Sequence, residues 1–371
     1  MSTGDGGTWL VLEGSLRPGE DAAPFGSRIA SIGVDIPEHR QSTAALMAST
    51  RHRTKIDLER LTGIRSRHVV GAGQDSLTLA IGAARDCLAH ADYDPGRLDT
   101  VISASITRYV GGLSMQLEPP LSLSVKEAIG ASRATSFDLT NACAGMMTGV
   151  FVLNDLIRQG RIHCGMVVSG EDISQLGRNA ARDVRSVLSR QLASLTLGDA
   201  GAAVIVERTP RDAAGVEVAG FTTLSAHSRL CMAYPARSGP GATMYTKART
   251  IHRVAVEDSL PLLEEVSERT GLDLGDVDYL IPHQTSSRAI RNGMRVLAER
   301  LGVQPKHVVV NVEDYGNTAS TTHFVAMHRY LEDGRFDKED RIMLLSFASG
   351  LEVGIVVFVV GGLVERYGHL H

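Results

Sequence analysis

Apolar residues fall into two kinds of run along the chain. Short continuous runs, TVISAS from Thr100, GMVVSG from Gly165, GAAVIV from Gly201, RIMLLSF from Arg341 and GIVVFVV from Gly354, are apolar on both faces. They predict strands of a sheet that helices cover on either side. Between them lie longer stretches whose apolar positions recur at helical spacing, such as DSLTLAIGAARDCLAHA from Asp75. Amphipathic helices are predicted there. The stretch NACAGMMTGVFVLNDLIRQG, from Asn141, predicts a strand ending at about Thr140 and a helix from about Ala144. That helix is apolar almost all round and should be buried. One run, Ile342 to Val364, is long enough to cross a bilayer, but it carries Glu352, two serines and four glycines. Two buried strands joined by a tight turn account for it better, and no membrane segment is expected.

The pattern also repeats, which is the mark of a duplicated architecture. DSLTLAIGAARDCLAHADYDPGRLDTVISAS, from Asp75, matches DSLPLLEEVSERTGLDLGDVDYLIPHQ, from Asp258. Each reads as Asp-Ser-Leu, helix, acidic turn and apolar strand. Downstream, the stretch from Thr135 to Asp172 matches the one from His307 to Gly350. Both read as strand, small-residue turn, helix, Gly-Arg turn and strand. LIRQGRI and YLEDGRF are the matching helix ends, each with a glycine suited to a helix C-cap. Two α/β halves should therefore pack into a layered structure. ERTPRDAAG, from Glu207 to Gly215, is polar with Pro and Gly and reads as the connection. The halves are placed at residues 1–210 and 211–371.

Composition changes little but excludes much. A length of 371 residues fits two domains or one duplicated one. With 38 basic against 42 acidic residues the net charge is −4, which argues against a broad nucleic-acid footprint. A 43% hydrophobic and 22% charged chain is globular rather than disordered or fibrous. The 38 glycines and scarce aromatics point to helices and strands packed closely. Cys87, Cys143, Cys164 and Cys231 have the spacing of neither a disulfide framework nor a zinc site, so no metal is expected and a reducing, cytoplasmic setting is. The N-terminal MSTGDGGTWLVLEG has no basic segment before an apolar run, so no signal peptide is expected.

Three residues stand where chemistry is done. Cys143 lies at a strand-to-helix junction, where the helix N-terminus favours a thiolate; an inert buried cysteine is the plainer reading. His283, in IPHQ, follows an apolar strand at the edge where α/β proteins collect functional groups, and it is otherwise a loop histidine. Asn317, in YGNTAS, occupies the place in the second repeat that Cys143 occupies in the first; a plain helix cap is the alternative. A pseudo-two-fold relating the halves would bring all three to one pocket.

These segments resemble the thiolase superfamily, and within it the condensing enzymes of the β-ketoacyl synthase III type. LTGIRSRHV, NACAG, SLTLGDAGAAV, IPHQ, YGNTAS and ASGLEVG appear in family order across nearly the whole chain. The resemblance implies an α/β fold of five layers, αβαβα, made from two duplicated halves, and a homodimer. It implies that Cys143 takes an acyl group from a thioester, with the backbone N–H groups of Cys143 and Ser349 holding the oxyanion. His283 and Asn317 would hold the enolate of a second thioester during a Claisen condensation. Glycines such as Gly145, Gly316 and Gly350 would let the chain pass close to substrate. The expected substrates are acyl-CoA or an acyl-phosphopantetheine on a carrier protein, with no tightly bound cofactor.

Glu118, in Leu-Glu-Pro, resembles the glutamate of the related olefin-biosynthesis enzyme that joins two acyl-CoA chains. There it crosses the dimer interface as a base; a loop carboxylate before a proline pair is the other reading. Arg288 matches a family arginine that meets phosphates of coenzyme A, and is otherwise an exposed helix residue. The family's adenine contacts fall on Asp57 and Leu61, and its asparagine after His-Gln falls on Ser286. These departures favour a carrier-protein donor, for which the basic RHRTK, from Arg51, would be a landing place or merely solvated surface. Acyl transfer to oxygen or nitrogen and a non-catalytic dimer partner are the competing functions. The intact Asn317 and Cys143 count against each in turn.

Overall fold

The computed structural model describes residues 9–13, 23–112, 114–237 and 239–367. Of the N-terminal segment inspected for a signal, only a strand, β1 (Trp9–Glu13), lies within the described residues. The other principal strands are β2 (Gly26–Asp35), β3 (Thr100–Ser103), β4 (Thr135–Asp138), β5 (Cys164–Glu171) and β6 (Ala200–Thr209). They continue as β7 (Val216–Thr223), β8 (Tyr279–Pro282), β9 (His307–Val308), β10 (Arg341–Ala348) and β11 (Glu352–Val359). The principal helices are α1 (Ser76–Ala91), α2 (Leu121–Ile129), α3 (Gly145–Arg158), α4 (Ala248–Thr270), α5 (Ser287–Leu301) and α6 (Thr322–Glu332).

Two sheets share one topology. The first runs β2-β6-β5-β3-β4 and the second β1-β7-β11-β10-β8-β9. Setting β1 aside, strand for strand the pairings agree: two antiparallel neighbours, then two parallel ones. The apolar runs became the buried strands β3, β5, β6, β10 and β11, and the suspected membrane run is the antiparallel pair β10–β11. Among the described residues no helix is long and apolar enough to cross a membrane.

Helices α3 and α6 lie between the sheets. They share one core with both, in which Met146, Val150 and Leu153 of α3 and Phe324 and Met327 of α6 are buried among Ile32, Val204, Ile281 and Val356. Helix α1 covers the outer face of the first sheet with Ala80, Ala83, Ala84 and Cys87. Helices α4 and α5 cover the outer face of the second with Leu262, Val266 and Leu297. Five layers, αβαβα, result. The glycine excess has one clear use here. A Cβ on Gly170 of β5 would sit 1.9 Å from the Ser76 carbonyl oxygen and 2.7 Å from the Ala80 nitrogen. Only glycine lets α1 lie against the strand backbone at that distance.

Two sequence matches shift in register. Asp75 caps α1 through a capping box, its carboxylate accepting from the Thr78 N–H, whereas Asp258 lies inside the 23-residue α4. The shared Asp-Ser-Leu therefore marks a helix start in one place and a helix interior in the other. The second shift lies at the turns that lead into α3 and α6.

Candidate active site

Each sheet feeds a sharp turn into its central helix. Before α3 the turn is Ala142–Ala144, and before α6 it is Ala319–Thr321. Each turn contains an alanine with positive φ, Ala142 at 43° and Ala319 at 56°. Such backbone is costly for a residue with a Cβ and persists only where the surroundings enforce it. The two alanines are structural equivalents. Hence the residue matching Cys143 is Ser320, and Asn317 stands three positions earlier. The expectation that Cys143 and Asn317 are equivalent is corrected, because the alanines fix the register and the short motif did not. The turns do pack against each other, as the pseudo-two-fold requires.

Cys143 follows its strained alanine and is half-buried. It packs on an apolar cluster of Ile106, Ile173, Leu176, Leu197 and Ala319, closed by Ala242 and Met244 of the hairpin Cys231–Pro235 and Ala242–Thr246. Burial pushes the thiol up from its ordinary value, and Cys231 and Glu171 push the same way. The helix N-terminus was expected to lower it. Desolvation of a thiolate in this apolar surround outweighs that partial charge, and Cys143 rests as a thiol.

His283 follows β8 and is 4% exposed. Its backbone N–H donates to the Leu345 carbonyl at 2.9 Å, which ties it to β10. The ring lies 5.9 Å, centroid to centroid, from that of buried His323 on α6. Burial, reinforced by His323 and His252, lowers His283 to about 3, and burial lowers His323 to about 4. Both imidazoles are neutral across the working range, so His283 offers one N–H as a donor.

The same pair makes folding acid-sensitive. Unfolded histidines bind protons below about 6.5. The folded chain accepts none on these two until about 4 and about 3. More protons bind to the unfolded state in that window, so stability falls as pH drops from 6.5 toward 4. Urea midpoints should fall between pH 7 and pH 5, and His323→Gln should flatten the slope. An unchanged slope in that variant would refute the assignment to buried neutral imidazoles.

Asn317 is set by the backbone. Its N–H donates to the Thr196 carbonyl at 2.9 Å, and its carbonyl accepts from Gly198 N–H at 3.0 Å. The side-chain Oδ1 accepts from Ala319 N–H at 3.0 Å. With the oxygen engaged, the amide presents Nδ2 as its donor end. Two glycines permit this crossing of loops. A Cβ on Gly198 would meet the Tyr315 carbonyl oxygen at 2.2 Å, and Gly316 has φ 70°. Buried Arg67 fills the space beside both, its Cβ 3.1 Å from where either glycine's Cβ would stand. Its guanidinium donates to the Leu195 carbonyl and, at 2.6 Å, to Thr43 Oγ1, and burial pushes it down to about 10.

Sequence reasoning missed a buried network beneath these turns. Glu171, at the end of β5, is fully buried. It accepts from the N–H groups of Ile106 and Thr107 at 2.9 and 3.1 Å, from Thr107 Oγ1 at 3.0 Å, from Ser169 Oγ at 3.1 Å and from Ser320 Oγ at 2.5 Å. Burial pushes its carboxyl up, and these donors work against that. The second elbow is thus moored to the first sheet through Ser320. Only the acidic pair Glu171-Asp172 at a strand end hinted at it in the sequence.

Of the remaining candidates, Ser349 and Gly350 are half-buried, and Arg288 and Glu118 are exposed. Ser349 and Gly350, the latter at φ 117°, form the β10–β11 turn, and both strands flanking it contact the Ala142–Ala144 turn. Arg288 is exposed on the first turn of α5, and Ser286 caps that helix by accepting from Ala289 N–H at 3.1 Å. Arg51, His52, Arg53 and Lys55 are exposed, and Leu61 is 46% exposed. Glu118 is exposed. It follows the hairpin Tyr109–Val110 and Ser114–Met115, flanked by Met115 at 55% and Leu117 at 74% exposure. The chain then enters α2, whose first N–H groups, Leu121 and Ser122, donate to Asp138 at the end of edge strand β4. Leu113, within the stretch quoted for Glu118, lies outside the described residues.

Comparison with known proteins agrees with this geometry. The 3-oxoacyl-[acyl-carrier-protein (ACP)] synthase III family matches residues 137–225, and the C-terminal part of that family matches residues 267–360. The β-ketoacyl-[acyl-carrier-protein] synthase III of Streptomyces lividans is 30% identical over 342 residues, 86% of this chain and 94% of its own. That of Symbiobacterium thermophilum is 30% identical over 361 residues, 92% and 98% respectively. Among solved structures, the priming β-ketosynthase of the R1128 polyketide pathway superposes with a TM-score of 0.76 at 26% identity, covering 93% of this chain and 99% of that one. Xanthomonas campestris OleA, solved with lauric acid and lauroyl-CoA, superposes with a TM-score of 0.78 at 22% identity, covering 90% and 99%, a likeness of fold. From the two elbows, the layered sheets and these full-length relatives it follows that the chain belongs to the β-ketoacyl synthase III family of thiolase-like condensing enzymes.

Proposed function

We propose that this protein forms a carbon–carbon bond by Claisen condensation through an acyl group carried on Cys143, in a specialised fatty-acid or polyketide route. The observation that supports it best is the pair of packed elbows, one holding a half-buried thiol and the other an Asn317 amide whose oxygen is engaged by Ala319 N–H. The reading includes two halves, 1–210 and 211–371, each supplying part of one site, and a cytoplasmic setting.

The first half-reaction exchanges thioesters. Cys143 sulfur attacks the acyl carbonyl, the old C–S bond breaks, and the thiol proton ends on the departing thiol. Backbone N–H groups of Cys143 and Ser349 stabilise the oxyanion on the way. In the second half-reaction a malonyl thioester loses carbon dioxide. The electron pair of the broken bond passes to the α-carbon and the thioester oxygen. His283 N–H and Asn317 Nδ2 donate to that oxygen. The carbanion then attacks the acyl-Cys143 carbonyl, and Cys143 departs and is reprotonated.

A second reading rests on Glu118. It is an exposed carboxylate between exposed Met115 and Leu117, beside edge strand β4, where Phe137 is 39% exposed. This is the surface a second copy would cover in a homodimer, and Glu118 would then abstract an α-proton from a second acyl thioester in the partner's pocket. Arg288 would meet the phosphates of the donor, and Arg51 to Lys55 the acidic face of a carrier protein. One experiment tests both readings. The acyl-loaded enzyme is given a malonyl thioester or a second acyl thioester, and product and carbon dioxide are followed. Product with carbon dioxide, unaffected by Glu118→Ala, supports decarboxylation. Product without it, abolished by Glu118→Ala, overturns decarboxylation in favour of the base.

A further inference from the structure

Helices α1 and α6 meet around the free edge of β2, far in sequence from each other and outside the site described above. Asp86 and His90 stand one turn apart on α1, and His328 and Glu332 one turn apart on α6. His90 Nδ1 lies 3.3 Å from Asp86 Oδ1, and His328 Nε2 lies 3.4 Å from Asp86 Oδ2. One ligand atom from each of Asp86, His90 and His328 falls within 4.8 Å of the others.

We infer that Asp86, His90 and His328 form a binding site for a divalent transition-metal ion of the zinc type, which clasps α1 to α6.

Three observations carry it. The first is geometric. A tetrahedral zinc ion bound at about 2.0–2.1 Å sets neighbouring ligand atoms about 3.4 Å apart. Each imidazole stands at about that distance from Asp86, His90 from Oδ1 and His328 from Oδ2, which also accepts from the Val34 N–H at 2.8 Å, so an ion would lie between the two oxygens with one of them as its ligand. The second is an unsatisfied atom. His328 is 5% exposed, and its Nε2 makes no hydrogen bond among the described residues although it faces Asp86. Its contact with Asp86 Oδ2 at 3.4 Å is not aligned as a hydrogen bond, and a buried imidazole nitrogen held that way is better satisfied by a cation shared with the carboxylate. The third is the outer shell. His328 Nδ1 lies 3.5 Å from Glu332 Oε2. A carboxylate on the far nitrogen is how metal-binding histidines are oriented.

Charge favours a cation. Asp86 and Glu332 both face the cluster, and Asp35 lies against α1 one turn before Asp86, its carboxylate 2.0 Å from where a Cβ on Gly82 would stand. The nearest arginine on the C-terminal segment, Arg366, is engaged by the Ala91 carbonyl at 2.9 Å. Tyr367 stacks on the His90 ring at 4.5 Å and donates to the Ile32 carbonyl on β2, so the last described turn closes over the cluster. His90 Nδ1 also lies 3.0 Å from the Asp86 carbonyl oxygen. Metal binding requires the tautomer with the proton on Nε2, so this contact ceases to be a hydrogen bond. Asp86 and His90 are partly open to solvent, leaving a coordination position for water.

The ligands come from helices 242 residues apart (328 minus 86), which is why no cysteine or histidine spacing announced them. They bridge a helix of the outer layer to one of the central layer, so the ion would act on stability.

The test uses the full-length chain without a histidine tag, stripped by chelator and titrated with Zn2+ by calorimetry, with thermal unfolding followed in parallel. His369 and His371 near the C-terminus make the variants essential. Expected are one Zn2+ per chain, a midpoint raised by a few degrees, and loss of both effects in His90→Ala and His328→Gln. Glu332→Gln should weaken binding by the roughly 10- to 100-fold typical of an outer-shell partner. Should buried His328→Gln fail to fold, partly exposed His90→Ala still decides. No saturable binding, or binding that His90→Ala leaves unchanged, overturns the assignment.

Discussion

Cys143→Ala should leave a folded chain that takes up no acyl group. The wild-type protein incubated with acyl-CoA or acyl-carrier donors gains the mass of one acyl chain, and the variant gains none. Condensation should fall by about four to six powers of ten, the scale seen when a catalytic nucleophile is removed. Folding should survive because the change removes one half-buried sulfur from an apolar cluster and leaves the strained Ala142 turn unaltered. The upward shift of the half-buried thiol adds a second expectation. Simple alkylating agents should react with Cys143 slowly at neutral pH and faster as pH rises, since the thiolate is the reactive form. An acyl adduct that persists in Cys143→Ala would falsify the nucleophile.

Asn317→Asp should separate the two half-reactions. The aspartate keeps an oxygen to accept from Ala319 N–H, so the turn holds, but it replaces the Nδ2 donor by an acceptor. In the proposed mechanism the wild-type amide donates to a developing enolate oxygen, and the variant would oppose it with negative charge. Condensation should drop at least the roughly 100- to 1,000-fold that losing one such donor costs. Acylation of Cys143, followed by intact mass in single turnover, should proceed almost unchanged. His283→Ala should show the same split. The double variant should cost little more than either alone, because groups that stabilise one charge act as a unit. If acylation falls in parallel with condensation in Asn317→Asp, Asn317 holds the site together and does not serve the enolate.

Periodicity in the chain was enough to place the strands that build both sheets, because β3, β5, β6, β10 and β11 are buried on both faces and carry unbroken apolar runs. Junctions were legible too, since Cys143 and Asn317 sit in small-residue turns that a central helix must follow. What stayed hidden has two physical causes. Contacts between distant segments leave no local trace, so the mooring of Ser320 to Glu171 and the packing of Arg67 beside Gly198 and Gly316 emerged only from the fold. Opposing effects also cannot be ranked from letters. The partial charge of a helix terminus and the desolvation of a thiolate both act on Cys143, and the depth of burial decides between them. The displaced Asp-Ser-Leu match shows the same limit, because three shared letters do not fix a helix register.

The two elbows with their positive-φ alanines, Ala142 and Ala319, have a further consequence. A symmetric pair of half-length chains would have to carry cysteine at both elbows or at neither. Written on one chain, the two positions can drift apart under selection. One retains sulfur, which the proposed mechanism uses for bond making. The other, at Ser320, is released to become an anchor, which leaves nearby Asn317 free for the proposed task of meeting negative charge. The division of labour in the pocket is a broken symmetry, available only because the copies are covalently joined.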